Sequence, residues 1–305
     1  MLKEVTLTQG TKEWLDWRLN GITATEAACA ISASEWGTAL SVYEAKLSKD
    51  TQQPQSEYIE WGSMLEDVIK FKKFAKEHPE YEVRQGGCYE DEWRKCSLDG
   101  ELLKDGEKVA ILEIKTGSNE SKWDPVPPGY YAQAQWQMHV TGYRKVIFAV
   151  LINGHRYFER TVEYDAEYCE RLENKCRNLW NCIITKTRPE PDELHPEIDQ
   201  PILNEAAAKS ESEETYEISR KEYEAYTNLK KRADEIDIAL KAMKLRFTDM
   251  LNKYKYITYD GRKFGQMVSV KGREGIDMKR LKAEYPEVYE AVKTCGKPAS
   301  YPKFG

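Results

Sequence analysis

Residues 109–114 read Val-Ala-Ile-Leu-Glu-Ile, an apolar run broken once, by Glu113. Such a run fits a central strand covered on both faces. A carboxylate inside it is costly to bury unless a metal or another cation compensates it. Lys115 follows two residues on, and the period of two in a strand turns both side chains to one face. On an exposed face a Glu–Lys pair at that spacing means little; inside a covered strand it has to be explained.

The segments around this strand alternate in type. A turn at Asn20-Gly21 divides residues 11–31 into two helices, and Thr23 followed by Glu26 has capping-box spacing. Residues 36–48 read as another helix and 49–57 as a polar loop. Tyr58 to Lys76 reads as an amphipathic helix, its apolar residues being Ile59, Met64, Leu65, Val68, Ile69, Phe71 and Phe74. Strands are expected over 81–89, 95–98 and 109–114, a helix over 130–141, and strands over 146–152 and 157–162 joined across Asn153-Gly154. A helix over 166–185 closes the region. The expected class is α/β (α+β), a mixed central sheet flanked by helices.

Three regions follow. Residues 1–186 make the sheet domain. Residues 187–217, rich in Pro, Glu, Asp, Ser and Ala, read as an acidic, partly flexible linker. Residues 218–305 hold a long helix, a hairpin at Asp260-Gly261 and a last helix over 278–292, interrupted before Pro286. On the long helix Tyr226, Leu229, Ala233, Ile236, Leu240, Met243, Phe247 and Met250 are spaced three and four apart, an a/d seam that packs on a helix of this chain or of another copy.

Composition narrows the class further. At 305 residues, 40% hydrophobic and 32% charged, the chain can build a sizeable core. No run approaches a membrane span, and MLKEVTLTQGTKEW has no apolar signal core, so a cytoplasmic location is expected. The net charge of -6 hides a local excess of Lys and Arg over 253–282, which reads as a phosphate-attracting surface or a solvated face. Of the seven cysteines, Cys169, Cys176 and Cys182 share a helix, but none is separated from another by two residues, so reduced core thiols are expected and no iron–sulfur cluster.

Asp99, before Gly100 in CSLDG, taken alone is a turn aspartate. Glu66, taken alone, is a surface glutamate. With Glu113 and Lys115 they make the set that metal-assisted phosphodiester hydrolysis needs: hard oxygen ligands for Mg²⁺, and a lysine to orient a water and balance negative charge. Gln133, Gln135 and Gln137 cannot share one helix face, and Gln133 with Tyr130 is the expected pair at the site.

Taken in order, WRLNGITATEAA, YIEWGSMLED, CSLDGE, LEIKTG and YYAQAQWQMHVTG resemble the lambda exonuclease and YqaJ-type viral recombinase family of the PD-(D/E)xK nuclease superfamily, over residues 9–165. Leu98 stands where the family has proline, and Thr25 where serine is common. The resemblance implies a restriction-endonuclease-like core. It implies that Asp99, Glu113 and the Ile114 carbonyl hold Mg²⁺ (Mn²⁺ as a substitute), Lys115 positions the attacking water, Glu66 supports a second metal or that water, and Gln133 braces the site. It implies that Arg18 grips a 5′-phosphate with Thr25 adding a hydrogen bond, and that Ile59 wedges open the duplex end. A homo-oligomeric ring, a trimer by preference, would digest the 5′ strand to mononucleotides and pass the 3′ tail to a single-strand annealing protein. Two other readings compete: a Cas4-like or endonucleolytic enzyme of the superfamily, and a catalytically silent DNA-binding scaffold of recombination.

Overall fold

The computed structural model describes residues 1–49, 56–210, 214–269, 275 and 277–293. The chain divides into two units, Met1–Lys209 and a second beginning at Ser210.

The first unit opens with β1 (Lys3–Val5) and three helices, α1 (Lys12–Leu19), α2 (Ala24–Ala30) and α3 (Ala39–Leu47). α4 (Glu57–Asp67) widens into a π-helical stretch over Val68–Phe74 and closes as α5 (Ala75–Glu77). Then come β2 (Glu82–Gln85), β3 (Cys88–Asp91), β4 (Arg94–Ser97), β5 (Gly100–Lys104) and β6 (Glu107–Gly117). α6 (Pro128–Thr141), β7 (Lys145–Ile152), β8 (Arg156–Glu163), α7 (Ala166–Thr185) and α8 (Pro196–Ala208) complete it.

The main sheet has the order β2-β5-β6-β7-β8. β6 and β7 are parallel and the other pairs antiparallel, the mixed sheet expected from the sequence. A small sheet, β1-β3-β4, lies beside it. β6 is central, and Ala110, Ile111, Leu112, Glu113 and Ile114 are buried, which is why it reads as an apolar run broken only at Glu113. One face of the sheet packs with α2, α6 and α7 around Trp136, Phe148, Leu172 and Leu179. The other packs Leu112, Ile114 and Ala149 against Ile69 and Phe74. β1 and β5 were not among the expected strands. β5 follows Asp99-Gly100, and its return into β6 uses Asp105 and Gly106, both at positive φ.

Two readings need correction. Tyr58 to Lys76 is not one amphipathic α-helix. α4 buries none of its residues, and Tyr58, Ile59, Trp61 and Met64 are exposed. Ile69 and Phe74, five apart, are buried instead while Val68 and Phe71 face out. Five-residue spacing shares a face in a π-helix and not in an α-helix. The acidic stretch after 186 is not all linker: the Asp199 side chain, 1% exposed, accepts hydrogen bonds from the Thr38 hydroxyl and from Asp192 N–H at 2.7 Å. These bonds pin α8 at the start of α3, and the first unit extends to Lys209.

In the second unit, α9 (Arg220–Leu251) leads to a hairpin of β9 (Tyr256–Tyr259) and β10 (Arg262–Gln266), turning at Asp260-Gly261 as expected. Two short helices follow, α10 (Met278–Glu284) and α11 (Pro286–Val292), divided at Pro286. Lys271, Arg273 and Glu274 of the basic stretch, and residues 50–55 of the expected loop, lie outside the described residues. Among the described residues no helix is long and apolar enough to cross a membrane.

Candidate active site

The site is built where β5 stops short of the end of β6. Gly100 is the last β5 residue paired there, opposite Leu112. The next inward-facing donor of β6, Ile114 N–H, is met at 2.9 Å by the Asp99 carboxylate. A side chain thus continues the ladder and fixes Asp99 beside β6.

Glu113 is 2% exposed. Its Oε1 accepts from Lys115 Nζ at 2.8 Å and from Gln133 Nε2 at 2.5 Å, and its Oε2 accepts from Gln137 Nε2 at 2.8 Å. These bonds answer the cost of a carboxylate in an apolar strand. Gln133 and Gln137 are one helical turn apart on α6, so both reach β6, while Gln135 turns away to the Glu163 carbonyl and Asp165 N–H. Gln137 was not singled out from the sequence, although i, i+4 spacing from Gln133 was the available signal. Tyr130 supports the lysine, whose Nζ lies 4.8 Å from the ring centroid.

Burial and the neighbouring Glu113 carboxylate push the Asp99 acid up to about 8, Glu66 adding to this and Lys115 opposing it. The Lys115 ammonium feels the opposite balance. Burial works against its charge, but Glu113 and Asp99 outweigh that and hold its pKa above the ordinary value. Glu66 is anchored by Lys70, a fully buried lysine whose Nζ donates to Glu66 Oε1 at 3.1 Å, Gln85 Oε1 at 2.8 Å and Asp67 Oδ1 at 3.4 Å. The π-helical stretch is what turns Lys70 inward, beside Gly100. Lys70 was not singled out from the sequence.

A second cluster stands on α1 and α2. Arg18 Nη2 donates to Thr25 Oγ1 at 3.3 Å and to Thr23 Oγ1 at 3.5 Å, with the guanidinium 4.5 Å above the Trp14 ring. Lys46 holds the pair from below, bonding the Arg18 carbonyl at 2.8 Å and Glu26 at 2.9 Å. Gly21 lets the α1–α2 turn lie on β4, because a Cβ there would stand 2.2 Å from the Trp93 carbonyl oxygen. A cleft of about 780 Å³ is lined by Thr25 of this cluster and by Gln133, the partner of Glu113, with Trp36, Thr116 and Tyr130 among the residues between them. Ile59 shares α4 with Glu66 but is 47% exposed and makes none of the contacts that join the others.

Residues 13–144, which hold all of these groups, match the family model of the YqaJ-like viral recombinase domain. Over nearly its whole length the chain is similar to the uncharacterized protein YqaJ of Bacillus subtilis (strain 168), at 28% identity over 319 residues, 96% of this chain and 93% of the relative. Among solved structures the chain is similar to an alkaline exonuclease (LHK-Exo) from Laribacter hongkongensis. That likeness has a TM-score of 0.46 and 21% identity, covering 65% of this chain and 99% of that one. A phage related exonuclease from Haemophilus somnus 129PT is similar at a TM-score of 0.40 and 12% identity, covering 54% and 96%.

The donor set suits a hard divalent cation. Among the described residues no group of three His, Cys, Asp or Glu side chains encloses an ion. Mg²⁺ does not require one, since it keeps several waters and is held by one or two carboxylates. Asp99 Oδ1 has no hydrogen bond among the described residues, and Gln137 Oε1 is buried without a donor. Open acceptors beside two carboxylates, with one acid pushed towards neutrality, are what a hydrated cation would relieve.

Proposed function

We propose that this protein is a Mg²⁺-dependent 5′→3′ exonuclease of double-stranded DNA, acting in phage or prophage recombination in the cytoplasm of a bacterial host. The observation that carries the reading is the convergence of Asp99, Glu113, Lys115 and Gln133 at the end of one buried strand, inside the stretch that matches the YqaJ-like family model. Asp99, Glu113 and the Ile114 carbonyl would hold the cation, with Mn²⁺ as a substitute. When bound, it supplies Lewis-acid stabilisation of charge on the phosphate oxygens.

The chain's own residues do the rest. Gln133 and Gln137 hold the Glu113 carboxylate in one orientation. Lys115, kept charged by the carboxylates around it, orients a water toward the phosphorus and balances the negative charge that develops there. Glu66, fixed by Lys70, supports that water or a second cation position. Arg18 and Thr25 take a 5′-phosphate, arginine matching its oxygens through paired N–H groups. A terminus held at a fixed distance from the carboxylates makes the product a mononucleotide. The exposed Ile59 would part the duplex end. The family resemblance supports a homo-oligomeric ring, a trimer by preference, and delivery of the 3′ tail to a single-strand annealing protein.

The test is linear duplex DNA with one 5′ end phosphorylated, the other blocked and the strands labelled differently. Loss of the phosphorylated strand alone, as mononucleotides, supports the reading. Internal cuts would move the protein to the endonucleolytic class, and no hydrolysis with Mg²⁺ or Mn²⁺ would make it a silent scaffold.

A further inference from the structure

Trp36, between α2 and α3, is 86% exposed, the most exposed of the eight tryptophans. One exposed ring by itself means little. This one stands on a fixed support. Past the end of α2, Ser32 turns through the left-handed region (φ 57°), and Ala33 N–H returns to the Ala28 carbonyl at 2.9 Å. Ser34 is buried, and its Oγ accepts from Trp36 N–H at 3.1 Å. Gly129, at the start of α6, lies so close that a Cβ there would stand 3.0 Å from the Ala33 carbonyl oxygen. On the other side Thr38, fully buried, caps α3. Only the indole is left without a hydrogen bond or a ring contact among the described residues.

The ring lines the cleft described above, whose volume of about 780 Å³ is within the range of sites that hold one small ligand, roughly 300–1,000 Å³. It shares that wall with Thr25, the partner of Arg18, and with Gln133, the partner of Glu113. A strand end that lies between the arginine cluster and the carboxylates therefore runs past the indole. Charge says which part of the strand the indole meets. Residues 32–38, SASEWGT, contain no cation, and the Glu35 carboxylate is paired with Lys122 at 3.2 Å. This lip has nothing to bind a phosphate with; it offers a flat apolar face. Bases stack on such a face whatever their sequence, because every base has a π-face. An enzyme that trims ends of any sequence can use that contact at every step.

We propose that Trp36 is a base-stacking residue, its indole packing on a nucleobase among the first two nucleotides of the strand whose 5′ end is held in the cleft. The choice of strand rests on the nuclease reading above; the contact itself is to a base and does not depend on hydrolysis.

The experiment uses the full chain and 5′-phosphorylated duplexes whose first two nucleotides on that strand either keep their bases or are abasic. Binding is read by fluorescence anisotropy without divalent cation, and hydrolysis is read with Mg²⁺. Trp36→Ala should weaken binding of the intact duplex about tenfold, and removing the bases should weaken binding by the unsubstituted chain by a similar factor. The two losses should not add: Trp36→Ala should be indifferent to the missing bases. Trp36→Phe should keep most of the affinity, and both variants should melt with the unsubstituted chain because the side chain is exposed. Additive losses, or no effect of Trp36→Ala on either duplex, would overturn the proposal, the second result being the one expected if the ring serves a protein partner. Coupled binding losses without hydrolysis would overturn the nuclease reading and keep the stacking contact, whereas hydrolysis with no coupling would do the reverse. Failure to bind duplex ends at all would overturn both.

Discussion

Asp99 is the residue whose chemistry is most easily exposed. In the metal-free protein its acid is raised to about 8, from an ordinary carboxylate value near 4, by burial and by Glu113. A raised folded-state pKa contributes stability that is present at acid pH and lost as pH rises through the folded value. The metal-free protein should therefore lose stability between about pH 4 and 8, and Mg²⁺ should remove that slope. At pH 7 an entering cation must displace the Asp99 proton. Calorimetry in buffers of different ionisation enthalpy should show about one proton released per ion, and affinity that climbs until pH 8 and then levels. Flat proton release would remove Asp99 from the ligand set.

The neighbours separate by role. Asp99→Ala or Glu113→Ala should abolish hydrolysis while DNA binding survives. Lys115→Ala should slow it by about 100- to 1,000-fold with the cation still bound. Lys70 acts through Glu66, so Lys70→Met should slow the reaction in the native background and have no further effect on Glu66→Gln. Additive losses in that cycle would mean that Lys70 serves the fold alone.

Two elements place groups that lie far apart in the chain. The α1–α2 turn rests on β4 because residue 21 has no side chain. Gly21→Ala should shift the turn, lower the melting temperature and blunt the preference for 5′-phosphorylated ends that Arg18→Ala should erase. α8 is held through Asp199, a buried carboxylate bonded to Thr38 and Asp192 N–H. Asp199→Ala should cost about 1.5–3 kcal/mol in denaturant unfolding, since bonds to a charged acceptor are lost and the Thr38 hydroxyl is stranded.

At the scale of the molecule, the boundary at Lys209 changes which fragment is worth making. Residues 1–209 should fold and keep hydrolysis on short duplexes, whereas a fragment ending near Thr185 should be less stable, because it removes the partner of Thr38. Equal melting temperatures for the two would mean that α8 adds nothing to the first unit.

Local pattern by itself determined a good deal of this protein. The run 109–114 stated its own burial, and Glu113 with Lys115 stated one face, because alternation along a strand needs no knowledge of the rest of the chain. The hairpin at Asp260-Gly261 and the heptad strip of α9 were legible for the same reason. Other features are properties of contacts across long stretches of chain. Asp99 was a turn residue until β6 supplied Ile114 N–H, and Gln137 was one of three glutamines until α6 lay over Glu113. Lys70 carried no signal in the sequence, and a π-helical stretch turns it inward. The acidic stretch after 186 carried a helix that only the buried Asp199–Thr38 bond reveals. Burial of a charged group depends on partners that distant elements bring to it, and tertiary structure alone chooses those partners.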